Sequence, residues 1–386
     1  MRRRLAVGTI FEWNTIGRRS CLTHAREDGK RMGHRRTALK AVDFFCGAGG
    51  MSYGLQAAGI DVLAGIDNDV DCRKTYTSNI HGATFIKHDV STLSPKDLGR
   101  RLGLRRNDPD LVFAGCSPCQ FWSKIRTDKK KSEKTAFLLK QFRKFIRHFN
   151  PGFVVVENVP GLHSRKGESI LSDFIGFLSE SGYAWSDGVV NASSYGVPQN
   201  RKRYLLIATR LRDSVELPKP SRAEGMAVAS FIGVANGFNP IAAGEVDSTD
   251  LLHRAAALSA ENLKRISVTP KSGGRRDAWK DNKKLQIAAY KGRDKIFQDV
   301  YGRMYWDRPA PTITTRFNSF SNGRFGHPEE DRAISLREGA TLQTFPKTFQ
   351  FFASNISGIA RQIGNAVPPA LAKRIGEHLL AVGSNG

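Results

Sequence analysis

The chain has 386 residues, 40% of them apolar, enough to bury a full core in one large domain or two smaller ones. Sixty lysines and arginines stand against thirty-six acids, and the resulting +24 points to a polyanion, nucleic acid above all, as the partner. Five unevenly spaced cysteines argue against a disulfide scaffold, no apolar stretch approaches the roughly 18 residues of a membrane span, and Arg2-Arg3-Arg4 is followed by no apolar signal segment.

Residues 1–38 are basic, polar and aperiodic, and read as a loosely ordered extension. The first strand is expected at Ala41-Val42-Asp43-Phe44-Phe45, running into the glycine-rich turn Cys46-Gly47-Ala48-Gly49-Gly50 and an amphipathic helix. A second strand, Val62 to Ile66, ends in Asp67-Asn68-Asp69, and a short third, Thr84 to Ile86, ends near His88-Asp89. Apolar runs at Leu111–Gly115 and Phe153–Val156 predict two more, with a helix between them from about Phe137 to Phe149. Val189-Val190 and Tyr204 to Ala208 supply the last strands. This alternation predicts a doubly wound α/β domain over residues 39–212. Residues 213–305 are rich in Gly, Ser, Lys and Arg and read as a smaller inserted domain. From 306 to 386 the chain returns to the first domain, with a helix from Ser335 to about Thr344 and a last one after Pro369.

In an open α/β sheet the residues just beyond the carboxyl ends of the strands face the ligand crevice. Cys119 follows the strand at Leu111, and Glu157 ends the strand at Phe153, so a thiol and a carboxyl are delivered to one edge. A cysteine after a strand is more often a small buried hydrophobe, and Cys116-Ser117-Pro118-Cys119 also spells a redox or half-zinc motif. No second Cys/His pair at ligand spacing accompanies it, and Pro118 interrupts the helix that a redox pair would open, so no metal is expected. The glycine turn with Phe45, Gly47, Gly49 and Gly50 lets a ligand approach the backbone, although it lacks the spacing of dinucleotide binders. Asp67 with Asn68 and Asp89 with Val90 close the next two strands. A strand-end acid is commonly a helix cap, but this series of turn, acid and acid suits an adenosyl ligand.

Together these residues resemble the DNA (cytosine-5) methyltransferase family, from about Ala41 to Leu380. Six elements occur in the family's order: the Asp43–Gly50 loop, Pro118-Cys119-Gln120, Glu157-Asn158-Val159, Gln199-Asn200-Arg201-Lys202-Arg203, Arg308-Pro309-Ala310-Pro311-Thr312 and Gly364-Asn365-Ala366-Val367-Pro368. The chain departs from the usual pattern at Cys46, Ser117 and Phe121-Trp122. The resemblance implies a Rossmann-like, mostly parallel S-adenosylmethionine domain and a target recognition domain at 213–305. It implies Cys119 as the nucleophile on cytosine C6, Glu157 on N3 and the exocyclic amine, and Arg203 and Arg201 beside the base. Asn365 and Ala366 join the cofactor residues. Base flipping follows from a target atom inside the stack. Gln120, Ser123, Lys124, Arg126, Lys129 and Lys130 follow the nucleophile and are expected to close over duplex DNA. A monomer in the cytoplasm, associated with the nucleoid, is implied, with a cognate restriction endonuclease sharing the site without being bound. An RNA-directed relative acting on transfer RNA and a catalytically silent nucleic-acid-binding module are the alternatives. Intact Cys119, Glu157 and Arg203 weigh against the second.

Overall fold

The computed structural model describes residues 38–116, 129–165, 170–221, 226–290 and 296–384. The expected amino-terminal extension and the residues from Ser117 to Asp128 lie outside that description. Within the unit Thr37–Gly386 the strands and helices run β1 Lys40–Phe44, α1 Gly50–Ala57, β2 Asp61–Asp67, α2 Cys72–Asn79, β3 Thr84–Lys87, α3 Pro95–Leu102, β4 Leu111–Gly115 and α4 Lys129–Phe149. They continue with β5 Phe153–Asn158, α5 Ile170–Glu180, β6 Ala184–Asn191, β7 Gln199–Asn200, β8 Lys202–Thr209, α6 Ala260–Ser267, β9 Ala310–Pro311, α7 Leu336–Leu342, α8 Ile356–Asn365 and α9 Pro369–Ser384.

Seven strands form one sheet in the order β3-β2-β1-β4-β5-β8-β6. The first five are parallel, and β8 runs antiparallel to both β5 and β6. Alternate residues enter two cores. Ala41, Val112, Val155 and Leu205 pack on one face with Leu55 of α1 and Leu371 of α9. Val42, Phe113, Val154 and Leu206 pack on the other with Phe142 of α4 and Phe174 of α5. Burial on both faces explains why these strands read as unbroken apolar runs. The expected mixed α/β, mostly parallel architecture is therefore present.

Two features position the site. The order turns around between β1 and β4, which leaves a crevice at the carboxyl edge of the parallel strands. Because β8 is antiparallel, its amino end, Lys202-Arg203, lies at the same edge as the carboxyl end of β5. Within the middle segment, Val228, Ile232, Phe238 and Leu252 join the first core, while Ile266 belongs to a small satellite cluster with Phe320 and Ala333.

Candidate active site

A cavity of about 210 Å³ opens at that edge, lined by residues from the β1–α1 and β2–α2 loops, β5, β8 and the end of α8. The β1–α1 loop makes its turn through positive φ at Phe45 (61°), Gly47 (50°) and Gly49 (90°). Asp67 ties this loop to its neighbour. Its Oδ2 accepts the Gly47 amide at 2.9 Å, and its Oδ1 accepts the Asp69 amide at 2.8 Å. Burial raises the Asp67 carboxyl despite these bonds.

Asp43, in β1, is fully buried and lines the cavity. Its Oδ2 accepts the Ser52 hydroxyl at 2.7 Å and the Ser52 amide at 3.2 Å, whereas Oδ1 is buried with no hydrogen-bond partner. Burial outweighs the Ser52 bonds and pushes the carboxyl up to about 7. An orphaned carboxylate oxygen with Asp67 and Asp69 in the same lining suits a ligand that carries positive charge. The donor set fits S-adenosylmethionine, with its sulfonium and ammonium groups.

At the other end of the cavity Glu157 is buried and its Oε1 meets Arg203 Nε at 3.0 Å. The register explains the pair. Glu157 lies opposite Leu205, so Arg203, two residues along, is its diagonal neighbour on the same face. Burial raises the Glu157 carboxyl, and the Arg203 and Arg201 guanidiniums pull it back.

Arg201 is 2% exposed and also borders the cavity. Its Nη1 donates to the Ile313 carbonyl at 2.9 Å, and its Nη2 donates to the carbonyls of Gly364 and Ala366 at 3.0 Å each. The geometry gives it a clamping position between β8 and the end of α8. Gln199 extends the clamp, donating from Nε2 to the Leu342 carbonyl at 3.0 Å and accepting the Ile313 amide at 3.0 Å. Arg361 closes the far rim, 3.4 Å from Asp69 and 3.8 Å from Asp71.

Of the residues expected at the cofactor, Phe45, Gly47, Asp67, Asn68, Asn365 and Ala366 line the cavity. Gly49, Gly50, Asp89 and Val90 are not in the lining. A Cβ at Gly50 would lie 2.2 Å from the Val367 carbonyl oxygen, so this glycine serves a close backbone approach. Asp89 is exposed, and its Oδ1 accepts the Ser91 amide at 2.8 Å. Val90 is buried in the second core. Cys119, Gln120, Ser123, Lys124 and Arg126 lie outside the described residues. Lys129 and Lys130 open α4, but their side chains lie outside the description too. Sequence reasoning placed Asp43 in the Asp43–Gly50 loop without giving its side chain a role, and assigned no part to Arg361. Asp43 falls inside a strand, where an acid carries no positional signal, and Arg361 is one more cation in a basic chain.

The chain matches the model for C-5 cytosine-specific DNA methylases over residues 39–381. It is 37% identical over 345 residues to the Type II methylase M.HgiDII of Herpetosiphon aurantiacus, covering 88% of this chain and 94% of that one. It is 31% identical over 352 residues to the Type II methyltransferase M1.HphI of Haemophilus parahaemolyticus, covering 90% and 88%. Its fold resembles that of a protein described as a DNA modification methyltransferase, encoded within an E. coli prophage, with a TM-score of 0.68 and 23% identity over 90% of this chain and 100% of that one. With the sheet, the cavity and the Glu157–Arg203 pair in place, the family match is decisive: the chain belongs to the C-5 cytosine-specific DNA methylases and is a DNA (cytosine-5-)-methyltransferase.

Proposed function

We propose that the enzyme methylates cytosine within a specific duplex sequence, on a base turned out of the stack, through a covalent bond from Cys119 to C6. The observation that carries this reading is the buried Glu157–Arg203 pair facing the cavity at the carboxyl edge of the sheet. The same cavity is bordered by Cys116 at the end of β4, from which the segment holding Cys119 departs.

Cytosine C5 is a poor nucleophile. Addition of the Cys119 thiolate to C6 breaks the aromatic ring and makes C5 enamine-like. Glu157, whose carboxyl burial raises, shares a proton with N3 and accepts from the exocyclic amine as charge develops there. Arg203 holds Glu157 in place and reaches toward O2 of the base. Arg201 acts as a positioning residue through its three carbonyls. Asp43, Asp67, Asn68 and the Phe45–Gly47 turn would hold S-adenosylmethionine, which when bound supplies an electrophilic methyl group for C5. The C5 proton then passes to solvent, its bonding pair forms the C5–C6 double bond, and the C6–S bond breaks to free Cys119 as the thiolate.

Residues 213–305 are assigned to target recognition, and Gln120, Ser123, Lys124, Arg126, Lys129 and Lys130 to the DNA around the flipped base. We assign the enzyme a monomeric working form and a cognate restriction endonuclease with the same target. Among the described residues no helix is long and apolar enough to cross a membrane.

Bisulfite sequencing of DNA from cells expressing the chain identifies the target sequence. Duplex carrying 5-fluorocytosine at that position, given S-adenosylmethionine, should then trap the enzyme, because fluorine does not leave as a cation. A denaturation-resistant adduct is expected with the native chain and with Cys116→Ser, and none with Cys119→Ser. An adduct that persists in Cys119→Ser would refute the assigned nucleophile. Trapping on transfer RNA but not on duplex DNA would assign the substrate to RNA.

A further inference from the structure

Phe297 has a backbone φ of 50° and is 62% exposed. A left-handed backbone is unfavourable for a bulky aromatic residue, and an exposed ring gains no burial to offset it. The neighbouring Ile296 is exposed too, at 46%. The loop that carries them is braced. The buried Arg276 donates from Nη2 to the Ile296 carbonyl at 2.6 Å and stacks on the Tyr290 ring at 4.4 Å. Arg275 bonds the Gln298 side chain at 3.2 Å. Asp299 pairs at 2.8 Å with Arg324, which also donates to the Gly273 carbonyl at 3.0 Å. Strain kept in place by its surroundings marks a side chain presented for contact.

The surroundings name the contact. Arg275, Lys280, Lys283 and Lys284 are all exposed in the same segment. Arg275, joined to Gln298, stands next to the protruding apolar pair, and the three lysines outnumber the exposed Asp277 and Asp281 of their segment; such a combination matches a nucleic acid, which offers phosphates outside and base faces within. We infer that Phe297, with Ile296 beside it, is a wedge that packs against a base step of the bound duplex while the exposed cations hold the flanking phosphates. Insertion must unstack that step, so duplexes with an easily unstacked pyrimidine–purine step at that place bind better. The inference rests on residues 213–305 engaging the target.

Phe297→Gly tests the wedge. Glycine accepts the positive φ without strain, so the variant should melt about 2 °C higher. It should nonetheless bind a duplex carrying the methylated sequence about tenfold more weakly, the scale of one lost base–aromatic stack, with an unchanged salt slope. Phe297→Trp should keep native affinity. Lys283→Gln with Lys284→Gln should flatten the salt dependence of binding by about 2 in log–log slope. If that pair flattens the slope while Phe297→Gly binds as tightly as the native chain, the wedge is wrong and the target-recognition reading stands. If neither changes binding, the segment does not engage DNA and both fall. If Phe297→Gly leaves affinity intact but converts a dimer to a monomer in sedimentation, the ring belongs to a contact between copies.

Discussion

Arg201→Met separates a clamp from a catalytic or phosphate contact. The native guanidinium donates to three main-chain carbonyls, those of Ile313, Gly364 and Ala366, at 2.9–3.0 Å, and is 2% exposed. Each charge-assisted bond of this kind contributes roughly 1.5–3 kcal/mol, and its loss leaves a carbonyl buried without that donor. Relaxation of the Gly364–Ala366 backbone and the fill of the methionine side chain recover part of this. A net loss of about 4 kcal/mol is expected, at the upper end for a single substitution. For a unit of this size that is a fall in melting temperature of about 5 °C. Urea unfolding should show a lower midpoint with the slope unchanged. Arg201→Lys keeps the charge and one or two of the bonds, and should restore roughly half of the loss. A Met variant with native stability, a uniformly weaker affinity for every duplex and a salt slope reduced by about 1 would refute the clamp and mark a phosphate contact.

Asp43 should link cofactor binding to pH. Its folded-state value, about 7, lies above that of an unfolded aspartate, so the ligand-free protein loses stability as pH rises through that interval. A cationic ligand favours the ionised form, so S-adenosylmethionine affinity measured by calorimetry should rise with pH up to about 7, and Asp43→Asn should flatten that rise. Gly50→Ala places a Cβ 2.2 Å from the Val367 carbonyl and should lower both melting temperature and cofactor affinity; unchanged values for both would exclude the close approach. Glu157→Gln removes the carboxyl proton while keeping an acceptor for Arg203, so single-turnover methylation should slow about 100-fold or more with cofactor affinity retained.

The parallel strands were legible because burial on both faces makes them continuous apolar runs, as at Leu111–Gly115 and Phe153–Val156. β6 was legible only at Val189-Val190. It is an edge strand that extends back to Ala184, and its partly exposed Ser186, Asp187 and Gly188 carry no apolar pattern. α2 left no trace either, since its buried positions are Cys72, Thr75, Tyr76 and Asn79. α3 buries Leu98 alone. The helix expected from Ser335 is α7, with Ser335 as its cap, bonded to Glu338 in both directions. At the site, motif order pointed to Glu157 and Arg203, which the structure pairs at the cavity, but the contacts of each arginine were not readable. Arg201 and Arg203 stand two residues apart in one motif, yet one holds backbone carbonyls and the other a carboxylate. That division depends on residues more than a hundred positions away, Ile313 and Gly364 among them.

Strand order also explains how a chain of net charge +24 keeps a site for a cationic cofactor. Asp43, Asp67 and Asp69 come from β1, β2 and the loop after β2, while Glu157, Arg203 and Arg201 come from β5, β8 and the residue between β7 and β8. β4 lies between β1 and β5, so the two groups are separated by about 10 Å of sheet, two strand spacings. The cavity is therefore polarised, with carboxylates at one end and a carboxyl braced by guanidinium groups at the other. The guanidinium groups at the cavity offset the acidic end only at its rim, where Arg361 meets Asp69. Arg201 is turned onto carbonyls, Arg203 onto Glu157, and Arg361 onto Asp69 and Asp71 at the rim. The proposed reaction assigns the sulfonium to the first end and the pyrimidine to the second. The segment that carries Cys119 leaves the sheet from β4, on the boundary between them. The proposed reaction uses that order: the chain leaves β4 with the carboxylates of β1 and β2 on one side and the Glu157–Arg203 pair on the other, the two groups assigned to the methyl donor and the base.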